Sequence, residues 1–198
     1  QELTKVLVDF ALEKIDDDKS WDIAIDLNKV GKLIFNETDA QHLKKFETKS
    51  IDEFLGFQNT IQNKLSMLKK TIVSAASEAL RTMIENGLEH TDFKSSWFPK
   101  FLLKIQEGDL NMDFKAGWKQ NFDSEPLYAG KCDAAKKAIL DSVHSQFVQL
   151  FNTIKNSAYS YQFLKNVYKN IVPLTVLNAI QQEVKTIQRE RDQLSISE

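Results

Sequence analysis

The 198-residue chain has little of what breaks or branches a helix: only six glycines and three prolines. Usage that low fits a protein that is mostly helix with few tight turns. It has one cysteine, Cys132, so an internal disulfide or a cysteine metal cluster is impossible and a reducing compartment fits. No apolar run approaches the roughly 20 residues needed to span a membrane, and the N-terminus carries no signal-peptide pattern. These features make the expected location cytoplasmic, with no membrane partner. A formal charge of -2 and a pI near 6.0 leave the chain without the strongly basic signature of a dedicated nucleic-acid domain. Any DNA contact has to use local patches.

Motifs of catalysis are also missing. The phosphate-loop pattern G-x-x-x-x-G-K-[ST] does not occur. Ala129-Gly130-Lys131-Cys132 has the Gly-Lys pair without the earlier glycine or the hydroxyl for magnesium, and reads better as a helix-entry turn. His42, His90 and His144 stand far apart and outside any metal-ligand spacing. Asp16-Asp17-Asp18 lacks the calcium-loop spacing and reads as a solvated turn. No G-x-S-x-G is found, and nothing around Cys132 marks a nucleophile. The chain therefore shows no catalytic centre and no metal or cofactor site of its own.

What is present is helical periodicity. Its longest expression runs from Ser50 to Gly87, opened by the capping-box pair Ser50 and Glu53 and closed by Asn86-Gly87. Ile61, Leu65, Leu68, Ile72, Ala75 and Ala79 alternate steps of four and three along one seam. At about 1.5 Å per residue, a helix over 50–86 is roughly 55 Å long and has to serve as a spine for others. Three smaller helices are expected before it, built on Leu3 to Ile15, Ile23 to Ile34 and Asp39 to Phe46. After it, Ser95 or Ser96 can cap a helix with Pro99 in its first turn and Gly108 at its end. Residues 107–131 form an irregular loop region with a helical turn or two around Phe114 to Asn121. Periodicity returns over 132–156, 157–171 and 174–193, with Pro173 breaking or starting an element. The expected fold is all-α: an irregular bundle of about seven to nine helices in a single helical subdomain over 1–198.

Lysines and aromatics interleave in the middle of the chain: Lys94, Trp97, Phe98, Lys100, Lys104, Lys115, Trp118, Lys119, Tyr128 and Lys131. Stacking rings beside backbone-tracking cations is the chemistry of single-strand binding. The plainer reading makes Trp97, Phe98 and Trp118 core anchors, with the lysines on the wet side of amphipathic turns. As candidate DNA-binding residues the sequence offers Lys94, Trp97, Lys100, Lys104, Lys115, Trp118, Lys119 and Lys131.

The last 25 residues, Leu174-Thr-Val-Leu-Asn-Ala-Ile-Gln-Gln-Glu-Val-Lys-Thr-Ile-Gln-Arg-Glu-Arg-Asp-Gln-Leu-Ser-Ile-Ser-Glu198, resemble a segment of the UvrD/RecB/AddA-type superfamily 1 helicases. There, such a helix leads through a Leu-Asp-Phe-x-Asp-Leu-like element towards the acidic Walker B motif. Leu194 to Glu198 falls where that element belongs, with Ile196 in place of the aromatic and Ser195 in place of the first acid. The earlier order is similar in arrangement: a leading helix, an acidic stretch before Trp21, the long helix and the Asp92-Phe93 segment. The resemblance implies a helical, 1B-like insertion that packs beside a motor core and can contact DNA backbone independently of sequence. The parent it implies is an ATP-dependent helicase or exonuclease, a hydrolase acting in unwinding, recombination or repair. That parent would use ATP and magnesium bound outside these residues. Its partners would be DNA, the remaining helicase domains and, further, a nuclease subunit. The beginning at Gln1 and the end at Ser197-Glu198 agree with an excised piece. The alternative is a helical protein-protein interaction scaffold without a DNA role.

Overall fold

Ser50 begins α1 (Ile51–Glu85) with the reciprocal cap its spacing predicts. The Ser50 amide donates to Glu53 Oε2 at 2.9 Å and the Glu53 amide to Ser50 Oγ at 3.2 Å. Two otherwise orphaned donors of the first turn are thereby satisfied. At the other end Gly87 turns left-handed at φ 61°. Its amide donates to the Ile84 carbonyl, and that of Leu88 reaches back to Met83 at 2.9 Å. This is the paired closure that a glycine after a helix allows.

The computed structural model describes Thr4, Val8 and residues 50–196. The helices expected over 3–15, 23–34 and 39–46, together with Asp16 to Asp18, Trp21 and His42, lie outside the described residues. Within them the order is α1, 3-10 turns at His90–Asp92 and Lys94–Ser96, α2 (Trp97–Gln106), α3 (Gly117–Gln120) and α4 (Ala134–Ile196). The all-α class holds. Among the described residues the sole β pairing is an isolated antiparallel bridge between Phe93 and Tyr128. No helix there is long and apolar enough to cross a membrane.

Among the described residues the helices are fewer than the periodicity predicts there. Four α-helices occupy the described residues, because the three expected between 132 and 193 are the single 63-residue α4. Nothing at Ser157 stops a helix, and the buried stripe Phe147, Phe151, Ile154 and Ala158 runs straight past it in steps of four, three and four. Pro173 stands inside α4. An interior proline removes one backbone bond and costs about 3 kcal/mol. Beyond it Val176, Leu177 and Ala179 are almost wholly buried, and burying a Val or Leu side chain contributes roughly 1.5–3 kcal/mol. Packing outweighs the local penalty, so the helix continues.

Contacts divide the chain into two compact units, one of residues 1–62 and 166–198 and the other of Asn63–Lys165. In the first, α1 buries Phe54, Gln58 and Ile61, and α4 buries Thr175 to Ala179. Gln58 Nε2 donates to Thr175 Oγ1 at 3.0 Å, while that hydroxyl donates to the Ile171 carbonyl at 3.0 Å. Both buried polar groups are thus paired, as burial demands.

The second unit holds the larger core. The alanine-rich face of α1 (Ala75, Ala76, Ala79), with Ile72 and Met83, shares one cluster with Phe98, Phe101, Leu102 and Ile105 of α2 and Leu140, Phe147, Phe151 and Ile154 of α4. Polar ties fix their register. Thr82 Oγ1 accepts from Gln146 Nε2 at 3.1 Å, and Gln106 Nε2 donates to Ser77 Oγ at 2.9 Å. The segment after α2 joins the core by alternation: Leu110, Met112 and Phe114 are buried while Asn111, Asp113 and Lys115 are exposed. Asx turns from Asp109 and Asp113 to the amides of Asn111 and Lys115 shape it.

Candidate nucleic-acid interface

The expected side-chain cap on α2 is not formed. Ser95 and Ser96 both sit left-handed, each at φ 52°, and neither caps the helix. Two consecutive non-glycine residues in that region cost of order 1–3 kcal/mol each. They are held there by what lies on either side. The Lys94 amide donates to the Leu127 carbonyl at 2.8 Å and the Ala129 amide to the Asp92 carbonyl at 2.7 Å. On the far side Phe98 is buried against Phe93, Phe122 and Phe147. The double left-handed step brings the chain from that bridge into α2 with Trp97 at the first helical position.

Trp97 is 41% exposed and stacks on Trp118, with centroids 6.3 Å apart and planes at 21°. Trp118 stands edge-on to Phe101 and Phe122, and Phe122 stacks on Phe151 at 4.2 Å. A continuous set of rings thus runs from the core to the surface, which it reaches at Trp97 and, through Phe114, at Tyr159. Beside it is a cleft of about 30 Å³, lined among others by Trp97, Trp118, Asn121, Glu125 and Pro126. Trp118 is part-buried among the rings, as the plainer reading expects, whereas Trp97 stands exposed at the surface.

The candidate lysines separate into two groups. Lys94 Nζ pairs with Glu125 Oε2 at 3.1 Å, and Glu125 also accepts from Asn121 Nδ2 at 2.9 Å. The Asn121 bond and the Lys94 ammonium hold the Glu125 carboxyl below its ordinary pKa. Lys119 folds back over the rings, 4.6 Å from the centroid of Phe101 and 5.3 Å from that of Phe114, and donates to the Asp113 carbonyl. Burial pushes its pKa down, with Lys104 adding to the shift and Asp113 opposing it. Neither lysine presents its charge freely. Lys100, Lys104, Lys115 and Lys131 are exposed, and their side chains make no ion pair or hydrogen bond among the described residues. On α2, positions 97, 100 and 104 follow steps of three and four, which sets Trp97, Lys100 and Lys104 on one stripe. Lys131 lies apart, beyond the bridge at Tyr128, whose ring carries Lys137 Nζ at 5.4 Å.

One element of this region was not legible in advance. Asp92, 8% exposed, accepts from the Glu89 amide at 2.7 Å and from Lys136 Nζ at 2.8 Å through Oδ2. Burial works to raise its pKa, but the Lys136 bond and the Glu89 amide outweigh that and the net shift is downward. Lys136 is raised in turn, chiefly by its bond to Asp92. This pair ties the 3-10 turn before Trp97 to the first turns of α4, 44 residues later. Complementary charges so far apart in sequence leave no periodic trace. Cys132 is half-buried and its thiol pKa is raised, mainly by burial and then by Asp92 and Asp133, so it stays protonated at neutral pH. No group of three or more His, Cys, Asp or Glu side chains that could hold a metal occurs among the described residues. Comparisons with protein-family models, with curated proteins and with solved structures give no match for the chain.

Proposed function

We propose that the chain is a non-catalytic helical subdomain, 1B-like, of an ATP-dependent DNA helicase or exonuclease of the UvrD/RecB/AddA type, and that it contacts DNA through its backbone. The observation that carries the DNA part is the α2 stripe, where exposed Lys100 and Lys104 follow a presented Trp97. Unpaired lysines on a stiff element suit phosphate neutralisation, which needs no base reading. The helicase part rests on the resemblance of residues 174–198, and on this reading ATP and magnesium bind in the parent and not here. The experiment is to read the parent gene. A G-x-x-x-x-G-K-[ST] motif encoded upstream and an acidic Walker B motif shortly after Glu198 are expected, and their absence overturns the helicase assignment.

A second reading, a protein-interaction scaffold, is favoured by Tyr159 and Phe163, which stand one turn apart on α4 at 50% and 66% exposure. Large apolar side chains at such spacing suit a partner helix. Fluorescence anisotropy separates the two. Salt-sensitive binding of the chain to labelled DNA supports the first, and no binding even at low salt leaves the second.

A further inference from the structure

Backbone binding alone leaves Trp97 without a role, although its ring stacks on Trp118 at the first position of α2. Its neighbours in the ring set, Phe93, Phe98, Phe101, Phe114 and Phe122, are all buried. Trp97 keeps 41% of its surface exposed while its ring lies nearly parallel to Trp118; the set has a second exposed ring in Tyr159, 50% exposed and packed on Phe114. It is led in by two left-handed serines, locked by the Phe93–Tyr128 bridge on one side and by the core on the other. An indole fixed in this way loses little freedom when a second flat ring is laid on it. The cations beside it are those left unpaired, Lys100 and Lys104 on the same stripe, whereas Lys94 and Lys119 are already engaged.

Resting on the DNA reading above, we infer that α2 is a single-strand track: one unstacked nucleobase lies on Trp97, extending the Trp97–Trp118 stack, and its neighbouring phosphates follow Lys100 and Lys104. The ligand class is single-stranded nucleic acid rather than duplex, because a base inside a duplex has both faces covered. Stacking tolerates any base, since every base has a π-face, so little sequence preference is expected. The polar rim at Asn121 and Glu125 is internally paired and does not read base edges. The cleft beside the rings, at about 30 Å³, is too small to hold a base within it. The base therefore sits on the outer face of Trp97.

The test uses the whole chain with a fluorescein-labelled oligothymidylate and a blunt duplex of the same length, both at low salt. Anisotropy reports binding, and intrinsic emission reports the three tryptophans together, the share of Trp97 being the part that Trp97→Phe removes. Single-strand binding is expected to quench the emission. Trp97→Ala is expected to weaken single-strand binding about tenfold and leave duplex binding unchanged. Trp97→Phe should keep much of the affinity and lose the Trp97 share of the quench. It also guards against misreading a folding defect in Trp97→Ala. The double variant Lys100→Ala with Lys104→Ala should lower the slope of log affinity against log salt by about 1.4, at about 0.7 per phosphate on a single strand. If the oligonucleotide binds but Trp97→Ala binds it equally well, the track is wrong and backbone contact stands. If neither nucleic acid binds, both fall. Quenching by a proline-rich peptide but not by the oligonucleotide assigns the rings to peptide recognition and also overturns the track.

Discussion

Helix α2 and the segment 107–133 that follows it use the same residue types, lysine beside aromatics, to opposite ends. On α2 the helical period separates them: Phe98, Phe101, Leu102 and Ile105 go inward, while Lys100 and Lys104 remain outside with Trp97 at the edge. In the following segment no long helix sorts the side chains, and Lys119 lies down on the rings of Phe101, Phe114 and Trp118. A lysine's butyl stem covers apolar surface wherever the backbone offers no outward face. Proximity of lysine and tryptophan in sequence therefore does not make a binding patch. What distinguishes Lys119 from Lys100 and Lys104 is that its cation already has partners; Lys115 and Lys131 of the later segment stay exposed like the α2 pair.

The difference is sharpest at Phe101, which belongs to both regions. Its ring meets Phe114, Trp118 and Phe151 and carries Lys119. Phe101→Ala is expected to destabilise by about 3–5 kcal/mol, read as a lower urea midpoint. It should also uncover Lys119 and let its lowered pKa rise towards the ordinary lysine value, seen by titrating that amine in the native state. A loss below about 1 kcal/mol would mean that the ring set is not the core of this unit.

A smaller effect is expected at Asp92, which secures the approach to α2. The sign follows from the shift. Its pKa is lower folded than unfolded, so its contribution is present above the ordinary aspartate pKa and is lost as pH falls through the lowered value. Lys136 is raised, so its share is present at neutral pH and is lost only as pH rises through its raised value. Asp92→Asn should lower the melting temperature at pH 7 and narrow its gap to the parent chain below pH 4. A gap constant across that range would assign the loss to packing rather than to the charge.

How much of this was legible in the sequence follows the range of the interaction. Ser50 with Glu53, Gly87 and Gly108 are local rules, and each acts in the structure as its spacing predicts. The lengths of helices were legible only where a stop has a local cause. Pro173 looks like a boundary and is overridden by burial of the residues after it, and Ser157 was never a stop. The alternation of Leu110, Met112 and Phe114 stood in the sequence as a period of two, but a single exposed-buried run with no partner strand resembles loop composition. Lys94 with Glu125 and Asp92 with Lys136 are 31 and 44 residues apart and obey no period. Which lysines remain unpaired therefore could not be read before the fold was known.

The smallest expected effects break the comparison most cleanly, because they ask the two lysine groups the same question. Lys119→Ala removes a cation from the faces of three rings and uncovers the apolar surface beneath its stem. A loss of about 1 kcal/mol is expected, the scale of an exposed cation–π contact. Lys104→Ala removes an exposed side chain that touches no ring, and its effect on stability should stay within about 0.5 kcal/mol. Removing that positive charge also relieves part of the downward pressure on Lys119, so the native-state labelling rate of Lys119 should fall as its protonated form gains. For nucleic-acid affinity the order reverses, with Lys104→Ala weakening binding at low salt and Lys119→Ala leaving it unchanged. Equal effects of the two substitutions on both stability and affinity would show that the cations are interchangeable, and the division between the presented α2 lysines and the self-covered Lys119 would not stand.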